Sequence, residues 1–260
     1  MIRALILTLC LTSPAVAQDI TAILEPSRSV ELRTTVPGRI AQIVTAEGQQ
    51  VRAGDIVANM DDAIQAARVA LARTISEADG NVVRARAQIV QLEALRDRIQ
   101  VARSRGAAQA WEVTQANQAV ELAQADLRIA FQDQERRRLD LALEEATLAQ
   151  YAIRAPFDAV VFETPLDIGE VVDAGNVIAA IGDISVLSAT AFVPLEWATD
   201  LTVGSTLMGE VDASRVSTTV RTIDPRIDPA SRTLRIVVEL ENAAGLYPVG
   251  APLFLFAPDR

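Results

Sequence analysis

The sequence predicts a mainly β protein in which a long α-helical hairpin is set into a split β module and followed by a small β-barrel. Three observations predict this. One stretch occurs twice: residues 36–61 and 155–183 share the spacing Gly–x–x–Val–x–Ala–Gly, from Gly48 to Gly54 and from Gly169 to Gly175. Between the copies, residues 62–149 contain no proline and are rich in Ala, Gln, Arg, Glu and Leu, which are good helix formers. After the second copy, short β-branched runs alternate with turn signals.

The copies are offset by 121 residues. That is far beyond a solenoid period, so this is one duplicated element and not an array. Each copy reads as short strands, with Gly48, Gly54, Gly169 and Gly175 where the chain turns tightly. No Gly-x-Gly-x-x-Gly pattern accompanies them, so a phosphate cradle is not implied. Neither half carries enough apolar surface to fold alone. The halves are therefore expected to pair, with everything between them an insertion.

Within that insertion, Ile64, Ala67, Leu71, Ile75, Ala78, Val82, Ala85, Ile89, Leu92, Leu95, Ile99 and Ala102 recur at spacings of three and four. Val113, Ala116, Val120, Ala123, Leu127 and Ala130 continue the pattern. Residues 103–107 lie between the two rows, and Gly106 suits a helix C-terminus. Two antiparallel helices of ~40 residues would reach ~60 Å at the helical rise. Gly80-Asn81 marks a weak point in the first. Asp61-Asp62 suits the start of a helix, where a carboxylate meets free N–H groups. Arg136-Arg137-Arg138, with Asp133, Glu135 and Asp140 nearby, reads as a solvated face. Trp111 reads as a packing residue or, at the tip, a partner contact.

From residue 185 the pattern is all β. Strands are expected over 186–193, 207–211, 216–223, 233–240 and 253–256, with turns at Gly204, Asp224-Pro225, Asp228-Pro229 and 241–245. Residues 194–197 read as a single short helix.

Composition excludes several functions. The net charge of −10 argues against a nucleic-acid partner, which needs a basic face. There is no histidine, and Cys10 is the only cysteine, so His or thiolate metal sites and His-based triads are ruled out. Titratable groups are otherwise scattered, so no catalytic site, cofactor or metal is expected. Residues 1–17 read as a secretory signal: Arg3, an apolar run over 4–11, and the small residues Ala15-Val16-Ala17. Cys10 follows the bulky Leu9, which disfavours a lipid anchor. The mature chain is expected to start near Gln18, soluble in the periplasm and peripheral to the inner membrane.

The order of parts resembles periplasmic adaptor subunits, the HlyD-like membrane fusion proteins of tripartite efflux pumps. The resemblance rests on a half-lipoyl motif, a helical hairpin, a second half-lipoyl motif starting Ile153-Arg154-Ala155-Pro156-Phe157-Asp158, and a barrel carrying Ser231-Arg232-Thr233 and Gly250. It implies a split lipoyl-like (barrel-sandwich hybrid) domain over 36–61 and 150–184. Residues 18–35 become associated N-terminal strands, 62–149 a coiled-coil hairpin with its tip near 103–109, and 185–258 the barrel. It also implies a non-enzymatic link between an inner-membrane transporter of the resistance-nodulation-division (RND) type and a TolC-like outer-membrane channel. Assembly as a homo-oligomeric ring of six is part of the same expectation. The alternative is an adaptor of an ABC-type exporter or type I secretion system.

Carried onto this chain, the channel contact falls on Arg98, Arg105, Gly106, Ala107, Gln109 and Trp111. Three departures stand out: Ala159 where relatives have Gly, Ala102 and Gln109 at tip positions that are often Leu and Ser, and no long segment after the barrel. Lipoyl-type folds also carry lipoate or biotin, but that chemistry needs a lysine. All 24 basic residues here are arginine, so the carrier reading fails. Joints are expected near Asp61, near Gln150 and over 182–186.

Overall fold

The structure is a computed structural model that describes residues 20–198 and 201–257. The expected signal segment with Cys10, and the expected mature start at Gln18, lie outside the described residues.

The chain begins with β1 (Ile20–Arg33), β2 (Gly38–Ile43), β3 (Gln50–Val51) and β4 (Ile56–Met60). Helices α1 (Ala63–Glu77), α2 (Gly80–Ser104) and α3 (Ala110–Ala149) follow. Next come β5 (Ala152–Arg154), β6 (Ala159–Glu163), β7 (Val171–Val172) and the long β8 (Val177–Pro194). The short α4 (Leu195–Ala198), β9 (Thr206–Val211), β10 (Ser214–Asp228), β11 (Thr233–Glu241) and β12 (Pro252–Leu255) complete it.

The duplicated stretches fold as one body with internal pseudo-twofold symmetry. The bonds between them come in pairs shifted by the repeat offset. Gly48 N–H donates to the Val161 carbonyl at 2.8 Å, and Gly169 N–H to that of Ile40 at 2.8 Å. Gly54 N–H donates to Ala155 at 2.8 Å, and Gly175 N–H to Thr34 at 2.8 Å. β3 pairs with β6 as β7 pairs with β2. Each half thus closes the other's sheet, which is why neither stands alone. Ile40, Val57, Met60, Val161, Ile178 and Ile181 form the shared core. The symmetry reaches back into β1, because Arg33↔Val177 repeats Arg154↔Ile56.

β1, β12, β9, β10, β11 and β8 pair in that order, and β8 pairs again with β1. The closed barrel has no free edge among these strands. Leu24, Leu187, Leu207, Ile236, Leu253 and Leu255 fill it. Each such side chain contributes about 1.5–3 kcal/mol over leaving it exposed.

Several expectations are corrected. Over 182–186, where a joint was expected, β8 continues as one strand, but its pairing with β1 shifts register there, from Pro26↔Leu187 to Arg28↔Asp183. Asp224-Pro225 is not a turn between strands; β10 continues through it with a register shift between Ile223 and Ile227. The weak point read at Gly80-Asn81 is a break: the first helical leg is two helices, interrupted at Ala78 and Asp79 directly before Gly80.

That break explains a wrong seam. Ile64, Leu71 and Ile75 were expected inside but are exposed, and α1 buries Gln65, Val69 and Ser76 instead. A heptad read across the break carries the phase of α2 into α1, where it does not hold. Gln65 is tolerated inside because its amide donates to the Glu144 carbonyl at 3.1 Å and carboxylate at 2.7 Å. α2 buries the expected Val82, and α3 the expected Ala116, Val120, Ala123 and Ala130.

Both α1 and α2 pack against α3. Gln65 meets Glu144 near the base, and Arg137 donates to the Ala78 carbonyl further out, so the legs are antiparallel. The 40 residues of α3 span ~60 Å. No helix among the described residues is long and apolar enough to cross a membrane.

Candidate functional site: the hairpin tip and its supports

The tip is built by two complementary helix ends. At the end of α2, Gly106 N–H donates to the Arg103 carbonyl at 2.9 Å and Ala107 N–H to that of Ala102 at 2.9 Å. This is a Schellman closure, and it needs Gly106 at φ +76°. At the start of α3, the Glu112 carboxylate accepts the Gln109 backbone N–H at 2.6 Å, as in a capping box. Gln109 therefore serves the turn itself, the role a serine or threonine usually has at a helix start.

These two ends leave a compact turn of five residues, 105–109, between α2 and α3. Arg105, Gly106, Ala107 and Gln109 are exposed on it, as are Arg98 further back on α2 and Trp111, 63% exposed, at the start of α3. Arg98 donates only to the Ala94 carbonyl of its own helix, at 3.2 Å. Among the described residues Arg98, Arg103 and Arg105 have no ion pair. The one nearby carboxylate on α3, Glu112, is held in the cap. The tip thus presents three guanidinium groups and an indole, on a chain whose net charge is −10.

The base of the hairpin is fixed by Arg39, whose guanidinium meets Asp61 at 2.6 Å. That hydrogen bond, with the Ala63 N–H, holds the Asp61 carboxyl below its usual range. Asp61, expected as a helix cap, is chiefly a salt-bridge partner, and Asp62 makes no side-chain cap. At the junction of module and barrel, Arg28 meets Asp183 at 2.9 Å and lies over the Phe157 ring at 4.6 Å. Burial pushes the Asp183 carboxyl up, but hydrogen bonds from Ser185 and Arg28 outweigh it and hold it below its usual range.

The four module glycines sit at φ +80°, +90°, +93° and +95°, in open turns where an added Cβ meets no atom. Backbone conformation, and not space, calls for glycine there. Ala159 opens β6 with its side chain buried. Among the described residues no three His, Cys, Asp or Glu side chains converge as metal ligands.

Three features escaped the sequence reading. Arg137 caps the carbonyl orphaned at the helix break, although its triplet read as a solvated face. Phe162 lies on Gly182, which only the fold brings together. Thr45 is buried with no partner for its hydroxyl. Aligning the repeats sets Thr45 against Leu166, a sequence signal for a polar residue in an apolar slot.

A barrel-sandwich hybrid that carries a helical hairpin and continues into a β-barrel is the architecture of an adaptor. The family model for the CzcB-like barrel-sandwich hybrid domain matches residues 28–183, and that for the CusB-like β-barrel domain matches 189–250. The chain belongs to this CzcB-like family of membrane fusion proteins, the periplasmic adaptors. No curated protein matches it.

Among solved structures it is similar to MacA from Actinobacillus actinomycetemcomitans, with TM-score 0.70, 17% identity, and 92% of this chain and 78% of that one covered. It is also similar to the membrane fusion protein Spr0693 from Streptococcus pneumoniae R6, with TM-score 0.66, 13% identity and coverage of 94% and 100%. ZneB from Cupriavidus metallidurans gives TM-score 0.51, 20% identity and coverage of 94% and 72%. At these identities the likeness is one of fold.

Proposed function

We propose that this chain is a non-enzymatic periplasmic adaptor that joins an inner-membrane RND transporter to a TolC-like outer-membrane channel. The observation that carries this reading is the tip. Its three arginines lack ion pairs among the described residues, Trp111 is exposed beside them, and the turn stands ~60 Å along α3 from the β module. A guanidinium offers planar, multi-donor contact to carbonyls and carboxylates at a channel mouth. The RND designation of the matching barrel model supports that transporter class over an ABC exporter.

Assembly into a ring of six is part of the proposal. Ile64 and Ile75 each precede a buried residue of α1 by one position, as Leu122 and Ile129 do on α3. In antiparallel helices such positions share a flank. All four are exposed, which makes an apolar row suited to packing beside another copy.

The test pairs an export assay with pull-downs. Arg98→Asp is expected to abolish export while the variant still folds and binds the transporter, because Arg98 contacts only its own helix. Stability should change by less than about 1 kcal/mol, as for other exposed sites. Normal export by this variant, or loss of both partners at once, contradicts the tip contact.

A further inference from the structure

The two halves of the β module differ at one equivalent site. In the second half, Leu166 packs against the module core. The Arg33 guanidinium there is ion-paired to Glu31 and donates to the Gly175 carbonyl at 2.7 Å. The repeat offset of 121 residues puts Thr45 where Leu166 stands, Ala152 for Glu31 and Arg154 for Arg33. Arg154 keeps the structural bond, donating through Nη1 to the Gly54 carbonyl at 2.8 Å, but Ala152 offers its charge no carboxylate.

In the first half, Thr45 lines an open cleft of about 410 Å³, a volume within the range of small-ligand sites. Val44, Val51 and Ile56 give it apolar walls, and Asp55 and Arg154 give it charged ones. Two features point to an occupant. Thr45 is 7% exposed, and its hydroxyl has no partner, so it costs desolvation until something bonds to it. Asp55 and Arg154 line the same cleft with opposite charges, yet neither forms an ion pair among the described residues. One Asp55 oxygen accepts the Arg52 backbone N–H at 2.8 Å, which leaves the other for a ligand. Beside the cleft, the charge of Arg52 is offset by Asp158, whose carboxylate accepts the Ala53 N–H at 2.8 Å. These four charges sum to zero but stay apart, which suits a dipolar molecule and not a simple anion or cation.

We propose that this cleft binds a zwitterionic aliphatic amino acid of about leucine size. Its carboxylate meets Arg154 and the Thr45 hydroxyl, its ammonium meets Asp55, and its side chain lies against Val51 and Ile56. The ligand supplies from outside the apolar group that Leu166 supplies in the other half. The site is in the β module, ~60 Å along α3 from the hairpin tip, so its failure leaves the adaptor reading standing.

The test titrates the full exported chain with L-leucine in a calorimeter, beside N-acetyl-L-leucine, which lacks the ammonium, and L-leucinamide, which lacks the carboxylate. Leucine is expected to saturate a single site, with both analogues roughly tenfold or more weaker, as for lost charge-assisted hydrogen bonds. Arg154→Gln and Asp55→Asn should each weaken leucine by a similar factor. Arg33→Gln removes the matching bond to Gly175 in the other half and should bind leucine normally. Thr45→Val should weaken leucine binding without lowering the urea midpoint, which separates loss of the site from loss of the fold. Absence of leucine binding, equal binding of all three compounds, or equal losses from Arg33→Gln and Arg154→Gln overturns the site. Binding of N-acetyl-L-leucine alone overturns the amino-acid assignment, since that ligand is an anion.

Discussion

Thr45 and Leu166 hold equivalent places in the two halves of the β module, yet Leu166 packs against the core while Thr45 buries an unbonded hydroxyl. A buried hydroxyl without a partner costs desolvation that no bond returns. Thr45→Val keeps the shape and removes the hydroxyl. It is expected to stabilise the fold by about 1 kcal/mol, seen as a higher urea midpoint with an unchanged slope. An unchanged or lower midpoint means that the hydroxyl is satisfied in solution.

Gly182 gives a second prediction. A Cβ at this position stands 2.3 Å from Cε2 of Phe162 and 3.2 Å from Cβ of Pro26. Gly182→Ala should therefore cost about 1–3 kcal/mol through overpacking. Shortening the ring as well, with Phe162→Leu, should return part of that loss, a non-additivity read from a double-mutant cycle of unfolding energies. Strict additivity refutes the contact as the cause.

The barrel carries a pH dependence of defined sign. Arg226 clasps the Asp224 carboxylate through Nε at 3.0 Å and a terminal nitrogen at 2.9 Å, and its backbone N–H adds a third bond at 3.0 Å. These bonds hold the Asp224 carboxyl far below the usual carboxylate range. A folded-state pKa below the unfolded value of about 3.9 stabilises the protein above that pH, and the contribution is lost as pH falls below it. Asp224→Asn should lower stability at pH 7 and flatten its decline between about pH 4 and pH 2. Asp61, Asp183 and Asp228 are also held low, so some slope should remain. Parallel declines for variant and parent contradict the assignment.

Much of this architecture was legible because duplication leaves a spacing that survives divergence. Gly48, Gly54, Gly169 and Gly175 remain since their positive φ admits little else, and the rows in α2 and α3 keep helical period. The α1 seam was misread because periodicity alone does not show where a helix stops. The break falls at Ala78 and Asp79, and the carbonyl there is met by Arg137 from another helix. The continuous β8 was missed because Gly182 looks like a hinge until Phe162 is seen to cover it. Asp224-Pro225 has turn chemistry, but here it shapes a bulge inside a strand. At the tip, sequence marked Gly106 as a helix end, whereas the cap role of Gln109 needed the geometry of Glu112.

The most direct measurement of the adaptor reading is photo-cross-linking in living cells with a photoreactive amino acid in place of Trp111. The side chain is exposed beside the turn, so the substitution should leave the fold intact. The account predicts an adduct between this position and an outer-membrane channel subunit, lost when Arg98→Asp is introduced. Adducts only with the inner-membrane transporter or with other copies of the chain, in cells where export proceeds, would contradict it.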